Sequence, residues 1–187
     1  MCSDIIWLDS VDSTNSEAKR RISELRDLSV IAARNQTAGR GQNGNKWVSE
    51  SSKNLTISIV LKSPIIKPWE QSIISEATSQ AIIDTLASYG IDARIKLPND
   101  IYIGDRKICG ILIENSILGE KINWSIIGIG LNVNQTEFPS DLPNPTSMSL
   151  CCPVPGEEYS INEVLDRLVS RVALLIGGKN IHLHNAI

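Results

Sequence analysis

The stretch from Gln36 to Trp47, QTAGRGQNGNKW, has the composition of a loop that holds an anion. Gly39, Gly41 and Gly44 allow positive φ angles and a close approach of the backbone to a bound group. The guanidinium of Arg40 adds positive charge to the same loop. A dinucleotide-binding GxGxxG motif needs a helix that opens at its third glycine, and no helical pattern follows here. On the glycines alone, a glycine-rich hairpin turn is the simpler interpretation.

A second polar group lies upstream, at Ser13, Thr14 and Asn15. Thr14 and Glu17 have the spacing of a capping box, which predicts a helix that begins near Thr14 and Asn15 and continues through Leu25. On this view the three polar residues only cap the helix. Their hydroxyl and amide groups could equally form hydrogen bonds with a polar ligand, and the spacing does not decide between the two roles.

Lys96 and Asp100 flank a proline at position 98, which removes a backbone donor and makes Leu97 extended. The two charged residues therefore lie on either side of one bend. Ion pairs around a proline are commonly exposed surface turns of little energetic value, and this alternative stays open.

Lys107 follows Arg106 and precedes the apolar run ICGILI, on the second strand of a predicted hairpin with its turn at Gly104 and Asp105. If its side chain points inward, the ammonium is partly desolvated and needs an anionic partner. A carboxylate that is converted to an acyl phosphate fits this requirement. The spacing is equally compatible with a side chain that points outward from the end of the hairpin.

These motifs together resemble the biotin protein ligases, whose central loop usually has the form GRGRRGRxW. The resemblance rests on STN at residues 13–15, GRGQNGNKW, KLPND and KICGILIE, in the same order and with similar spacing, and it runs from about Ile5 to Asn134. KLPND is similar to the family's KWPND, with Leu97 in place of the usual tryptophan. GIGLNVN, which ends at Asn134, is similar to the family's GIGxNVN.

The resemblance implies roles for individual residues. Arg40 and Lys107 would be catalytic and bind the carboxyl and α-phosphate region, and Asp100 would contact Mg²⁺. The expected biotin-binding residues, of which those in STN and Gln36 face the ureido ring, are Ser13, Thr14, Asn15, Gln36, Gly39, Arg40, Gly41, Gln42, Lys107, Gly110 and Leu112. The expected ATP- or adenylate-binding residues are Arg40, Gln42, Asn45, Trp47, Lys96, Asn99, Asp100, Lys107 and Asn132.

The implied activity is ATP-dependent biotinylation. The family activates biotin as biotinyl-5'-AMP with loss of pyrophosphate and transfers it to a lysine of a biotin carboxyl carrier protein, of acetyl-CoA carboxylase or another biotin-dependent carboxylase. Two alternatives remain. A lipoate or octanoate ligase or transferase has a related fold but needs an apolar slot rather than a urea-reading polar set. A catalytically weak biotin-binding module is the other, and the presence of both Arg40 and Lys107 argues against it.

The chain also departs from the family pattern. Gln42, Asn43 and Asn45 stand where many members have arginines, so hydrogen bonds from this loop to phosphate are expected to be weaker. We expect a single catalytic domain over residues 1–187, without the winged-helix DNA-binding domain that precedes STN in repressor members. The small C-terminal β-barrel of the family is expected to be absent or truncated.

Composition excludes several classes. A net charge of −3 and a pI near 5.4 argue against a general nucleic-acid binder, so no DNA partner is expected. No apolar run is long enough to span a membrane, and a cytoplasmic protein is expected. The cysteines form no CxxC pair, and His182 and His184 have the spacing of a metal pair only in a predicted unstructured tail. A homodimer is left open.

Strands and helices must position these motifs. Alternation predicts strands at 4–8, 28–33, 54–62, 93–97, 101–103, 106–115 and 121–133. Helical periodicity predicts helices from residue 14 to 25, from Trp69 to Tyr89 with Gly90 as its stop, and from Ser160 to Gly177, while the proline-rich residues 135–156 are predicted to be a surface connection. The resemblance implies an α+β fold like the class II aminoacyl-tRNA synthetase core, a mixed β-sheet with helices mainly on one face.

Overall fold

One mixed sheet organises the computed structural model, which describes residues 4–97, 100–152 and 158–178. The strand order in the described part of the chain is β1-β2-β3-β7-β6-β5-β4. The first two strands pair in parallel and all other neighbours pair antiparallel, which confirms the mixed sheet. The strands are β1 (Ile5–Leu8), β2 (Val30–Ala33), β3 (Leu55–Lys62), β4 (Arg94–Lys96), β5 (Asp100–Ile103), β6 (Arg106–Leu118) and β7 (Lys121–Leu131).

Two long helices cover one face of this sheet. They are α2 (Ser72–Ala87) and α4 (Ile161–Gly178), and the main core lies between them and the sheet. Both were predicted, and Gly90 ends α2 with a φ of +74°, a conformation that suits glycine. No helix in residues 4–97, 100–152 or 158–178 is long and apolar enough to cross a membrane.

The opposite face carries only a short helix, α1 (Thr14–Arg20). The prediction that this helix reaches Leu25 was wrong, because the chain must turn back to place Val30 beside Ile5 in the parallel pair of β1 and β2. Leu25 is nevertheless buried in a second, smaller cluster with Ala18 of α1. The apolar residues after Arg20 are therefore spaced as in a helix because they are buried, although they lie in a turn. Most of this face of the sheet is not covered by helices.

The proline-rich connection after β7 is only partly on the surface. It contains the short helix α3 (Met148–Cys151), and Thr146, Ser147 and Met148 are fully buried. Residues 146–149 donate backbone hydrogen bonds to Lys107 and to the end of β7, so the segment braces the sheet. The prediction of a surface connection was wrong there, because proline prevents regular structure without preventing burial. Residues 153–157 lie outside the described part.

We expect Leu168→Ala in α4 to lower the free energy of unfolding by about 2–5 kcal/mol, because its fully buried side chain leaves a cavity in the main core. Leu174→Ala in the same helix is the matched control. Leu174 is 64% exposed, so its replacement should change stability by no more than about 0.5 kcal/mol. Urea unfolding followed by circular dichroism measures both, and equal losses would contradict this assignment of the buried face.

Candidate functional site

A cleft of about 260 Å³ lies between the glycine loop, residues 39–47, and the sheet face that α2 and α4 leave free. Parts distant in sequence meet in it: the start of α1, the glycine loop, and strands β3, β5, β6 and β7. The lining residues are Ser13, Thr14, Asn15, Gln36, Arg40, Gly41, Gln42, Asn43, Asn45, Lys46, Trp47, Ile57, Asp100, Lys107, Gly110, Ile111, Leu112, Gly128, Ile129 and Gly130.

The polar residues at the start of α1 do not act as the predicted cap. Ser13 is the N-cap residue but its side chain makes no capping hydrogen bond, and Thr14 lies inside the helix. The Thr14 backbone N–H instead donates to Gln36 Oε1 at 2.8 Å. Ser58 Oγ lies 2.8 Å from Thr14 Oγ1. The capping-box interpretation was therefore wrong, and these side chains form a buried polar cluster at one end of the cleft.

Asn15 is the most fully bonded member of this cluster. Its Oδ1 lies 2.6 Å from Ser58 Oγ, and its Nδ2 donates to the Leu112 carbonyl at 3.2 Å. A Cβ on Gly128 would lie 2.4 Å from Asn15 Oδ1, so only glycine leaves room for this amide. Ser13 Oγ and Gln36 Nε2, in contrast, make no hydrogen bond to any described residue, and both residues line the cleft. They are the groups free to bind a polar ligand.

The glycine loop is indeed a tight hairpin, and it also forms one wall of the cleft. Arg40 and Lys46 form an isolated antiparallel bridge, and the Trp47 N–H donates to the Gly39 carbonyl at 3.0 Å. At the tip, Asn43 and Gly44 have positive φ angles of 56° and 79°. The segment is therefore both a hairpin and a wall of the cleft, so the two interpretations do not exclude each other.

Trp47 packs flat against two glycines of the central strands. A Cβ on Gly130 would lie 2.3 Å from the indole, and one on Gly110 would lie 3.0 Å from it. The indole Nε1 is buried without a hydrogen-bond partner. An unpaired buried donor costs about 1–3 kcal/mol, so the indole is held by packing against the sheet and by the loop backbone.

Lys107 points into the cleft because of a β-bulge. Tyr102 on β5 pairs with Lys107 and Ile101 pairs with Cys109, which leaves Ile108 as the extra residue. Strict alternation would put Lys107 and Gly110 on opposite faces, whereas the bulge puts both on the cleft side. The ammonium lies 2.7 Å from the Asp100 carboxylate, and the Lys107 side chain is 31% exposed. The outward orientation left open by the sequence is thereby excluded.

Arg40 is paired as well. Its guanidinium lies 2.6 Å from Glu114 Oε2 on β6, and Asn15 Nδ2 donates to the same oxygen at 2.8 Å. Sequence reasoning singled out neither Glu114 nor Ser58. The signal for Ser58 was a polar residue that follows Thr56 on one side of the mostly apolar β3, and Glu114 ends the apolar run that follows Lys107.

Three expected site residues that the structure describes do not line this cleft. Gly39 lines an adjoining cleft with Arg40 and Glu114. Lys96 is exposed, with its ammonium over the Tyr102 ring at 4.5 Å. Asn132 is buried and donates to the Thr146 carbonyl at 2.9 Å, so it braces the segment beside Lys107. Asn99 lies outside the described residues.

Cysteine and histidine add no chemistry to the described site. Burial raises the pKa of the Cys109 thiol well above its usual range, which keeps it protonated. No group of three or more His, Cys, Asp or Glu that could hold a metal ion occurs among the described residues. His182 and His184 lie outside them.

Comparison with known proteins gives a consistent result. Residues 7–132 match the model of the biotin/lipoate A/B protein ligase family. The bifunctional ligase/repressor BirA of Bacillus spizizenii is 33% identical over 150 residues, 78% of this chain and 46% of that protein. The biotin–[acetyl-CoA-carboxylase] ligase of Paracoccus denitrificans is 35% identical over 125 residues, 65% of this chain and 51% of that protein. The chain thus spans about half the length of these curated relatives.

Solved structures agree with this match. The structure of biotin protein ligase from Aquifex aeolicus in complex with biotin and ATP superposes with a TM-score of 0.80 at 27% identity. The superposition covers 96% of this chain and 72% of that one. The α+β fold predicted from the motifs is therefore confirmed.

We expect Gly130→Ala to displace the Trp47 indole, because the added Cβ has no space beside it. The substitution should cost about 1–3 kcal/mol of stability and shift the tryptophan emission to longer wavelength. Gly177→Ala is the control, since nothing lies within 4 Å of a Cβ at that position. The Trp47→Phe variant identifies the emission that belongs to Trp47, and an unchanged spectrum in Gly130→Ala would contradict the packing.

A second prediction concerns Asp12, which precedes the polar cluster. Hydrogen bonds from Arg20 and from the Ser13 N–H lower the pKa of its carboxyl from 3.8 to about 2. A lowered pKa stabilises the fold above about pH 4, and that stabilisation is lost as the pH falls toward 2. Asp12→Asn should therefore be less stable than the natural protein at pH 6, by under about 1 kcal/mol because the pair is exposed, and the two should converge near pH 2. Urea unfolding across this range tests it, and a constant difference would contradict it.

Proposed function

Because the chain belongs to the biotin/lipoate A/B protein ligase family, we propose that it is an ATP-dependent biotin–protein ligase. It would activate biotin as biotinyl-5'-AMP with release of pyrophosphate and then transfer biotin to a lysine of a biotin carboxyl carrier protein. The relatives' names, and the biotin and ATP in the Aquifex aeolicus structure, support this proposal.

The observation that carries the proposal is the polar cluster at one end of the cleft. A cyclic urea offers one carbonyl acceptor and two N–H donors, and it needs complementary groups in a confined place. Gln36 Nε2 and the hydroxyls of Ser13 and Thr14 supply donors and acceptors there, with Ser58 behind them. Leaving such groups unpaired is costly, so this end of the cleft should discriminate against an apolar acyl chain such as lipoate or octanoate.

Lys107 and Arg40, two of the cations that line the cleft, suit the reacting groups. Activation requires the biotin carboxylate to attack the α-phosphorus of ATP as the bond to pyrophosphate breaks, and negative charge develops on the phosphate oxygens. Lys107, about two-thirds buried, and Arg40 would stabilise that charge and orient the acyl group. In the second step the carrier's lysine amine attacks the acyl carbon and AMP leaves, so no side chain of this protein becomes acylated.

The glycine loop would bind the adenylate less strongly than a loop with more arginines. Gln42 and Asn45 line the cleft and would offer neutral hydrogen bonds to phosphate or ribose. Trp47 would pack near the adenine. Lys96 and Asn132 lie outside the cleft. Lys96 would therefore act at the rim of the cleft, and Asn132 would brace the segment that contains Thr146.

Mg²⁺ would accompany ATP rather than occupy a protein cage. Asp100 is the only carboxylate among the described residues that line the cleft, and it is already paired with Lys107. Since Mg²⁺ is commonly bound by one or two carboxylates together with substrate phosphates, this donor set fits a metal that arrives with the nucleotide. The ion would neutralise phosphate charge, and Asp100 would hold it beside Lys107.

The partner and location follow from the same reaction. We infer a carrier domain of acetyl-CoA carboxylase or another biotin-dependent carboxylase as the protein substrate, and action in the cytoplasm, where ATP is available. We propose that residues 1–187 form a single catalytic domain, and a homodimer stays an open alternative.

Biotin- and ATP-dependent release of pyrophosphate tests the proposal, with lipoate and octanoate as competing acids. We expect release with biotin alone, and Lys107→Ala and Arg40→Ala should each lower kcat/KM by roughly 10²–10³-fold. Arg106→Ala is the matched control, because Arg106 is an exposed neighbour of Lys107 that does not line the cleft.

Two results would contradict the proposal. Release with lipoate or octanoate instead of biotin would assign the chain to the other activity of its family. Biotin binding without any release, by a folded protein, would indicate a catalytically weak biotin-binding module.

A further inference from the structure

Glu114 contacts both the glycine loop, which carries Arg40, and the polar cluster, which contains Asn15. Its Oε2 lies 2.6 Å from the Arg40 guanidinium and 2.8 Å from Asn15 Nδ2. Arg40 belongs to the glycine loop, whereas Asn15 belongs to the polar cluster at the start of α1. One carboxylate oxygen thus joins the wall of the cleft to its polar end.

The position of Glu114 follows from the register of β6. Gly110, Leu112 and Glu114 alternate along the strand and therefore point to the same side of the sheet, the side of the cleft. The first two line the cleft itself, and Glu114 lines the adjoining cleft under the glycine loop. Its carboxylate is only 26% exposed, so Arg40 neutralises a partly buried charge.

We propose that Glu114 is a positioning residue that holds the Arg40 side chain against β6 and competes with the substrate's phosphate for it. This inference rests on the proposed function, in which Arg40 binds the α-phosphate region. Glu114 Oε2 accepts from Nη2 of Arg40 and offsets the charge of the guanidinium, while the other N–H groups of Arg40 remain available. A phosphate that binds Arg40 therefore competes with the Glu114 carboxylate for the guanidinium charge. The hydrogen bond from Asn15 Nδ2 holds the same Glu114 carboxylate at the polar end of the cleft.

A second observation concerns Trp47, at the other end of the same loop. The same loop holds Trp47 with its indole Nε1 buried and without a partner. This arrangement carries a desolvation cost that contacts elsewhere in the loop must offset. The Arg40–Glu114 pair is the one ion pair between the loop, residues 39–47, and any other described residue, and it adds to the packing and backbone hydrogen bonds that hold the loop.

The first test needs no substrate. Trypsin cleaves after Arg40 only when that residue leaves its contacts, so Glu114→Gln should speed cleavage at this bond about two- to five-fold, the range expected for a partly exposed ion pair. Mass spectrometry identifies the bond. Glu120→Gln, which removes a glutamate from the exposed turn between β6 and β7, should leave the rate unchanged. An unchanged rate in Glu114→Gln would overturn the proposal, whether or not the protein is a biotin ligase.

The second test separates the two contacts of Glu114. Glutamine keeps an acceptor for Asn15 but loses the charge, so Glu114→Gln should lower the KM for ATP about two- to five-fold and leave the KM for biotin unchanged. Glu114→Ala removes both contacts and should also raise the KM for biotin about five- to ten-fold. High salt should reduce the difference in the KM for ATP, because it screens the ion pair.

A double-mutant comparison assigns the effect to Arg40. In the Arg40→Ala background, Glu114→Gln should no longer change the KM for ATP. A higher KM for ATP in Glu114→Gln with Arg40 present would overturn the proposal, because it would mean that the pair also supports the nucleotide-bound state. Near-UV circular dichroism of each variant shows that it has folded, and absence of pyrophosphate release from the natural protein would reject the function without altering the trypsin result.

Discussion

The cleft depends on positions where the central strands carry no side chain. Gly110 on β6 pairs directly with Gly130 on β7, and Gly128 pairs with Leu112 two residues further along both strands. A Cβ at Gly130 would collide with the Trp47 indole, and a Cβ at Gly128 would collide with the Asn15 amide. Backbone thus forms the floor of the cleft, which lets an aromatic ring and a polar amide lie directly on the sheet. Everything proposed for this site requires that floor.

The two long helices pack on the other face of the sheet, so this floor of the cleft stays accessible. The helices α2 and α4 bury the other face in the main core, so the sheet stays rigid where the cleft needs it. On the cleft side, α1 covers only one end and contributes its buried first residues to the polar cluster. The rigid elements therefore carry Asn15, Ser58 and Lys107, while the hairpin loop carries Arg40. A site that combines rigid binding groups with a loop-borne cation is suited to reactions in which a charged intermediate must be shielded from water.

Two of the three cations that line the cleft are paired with carboxylates of the protein. Lys107 is matched by Asp100, and Arg40 is matched by Glu114. The Lys107 side chain is 31% exposed, so leaving its charge unpaired would be costly, whereas the Arg40 side chain is 44% exposed and depends less on its partner. An anion that bound either cation would meet a carboxylate at the same place. The acidic residues therefore shape the charge of the site together with the basic ones, although a search for anion-binding motifs finds only the basic ones.

The sequence alone located all seven strands and the two long helices, and the order and spacing of STN, GRGQNGNKW, KLPND and KICGILIE identified the family. Local pattern suffices for these features because periodicity and turn residues act over a few positions. Only the tertiary structure decided that the residues of STN bind across the fold instead of capping a helix, since their partners Gln36 and Ser58 are remote in sequence. It also decided that Lys107 points inward, because a one-residue bulge reverses the alternation and no local pattern marks it. The tertiary structure likewise decided that Lys107 pairs with Asp100 and Arg40 with Glu114, because folding brings these strands and the loop together.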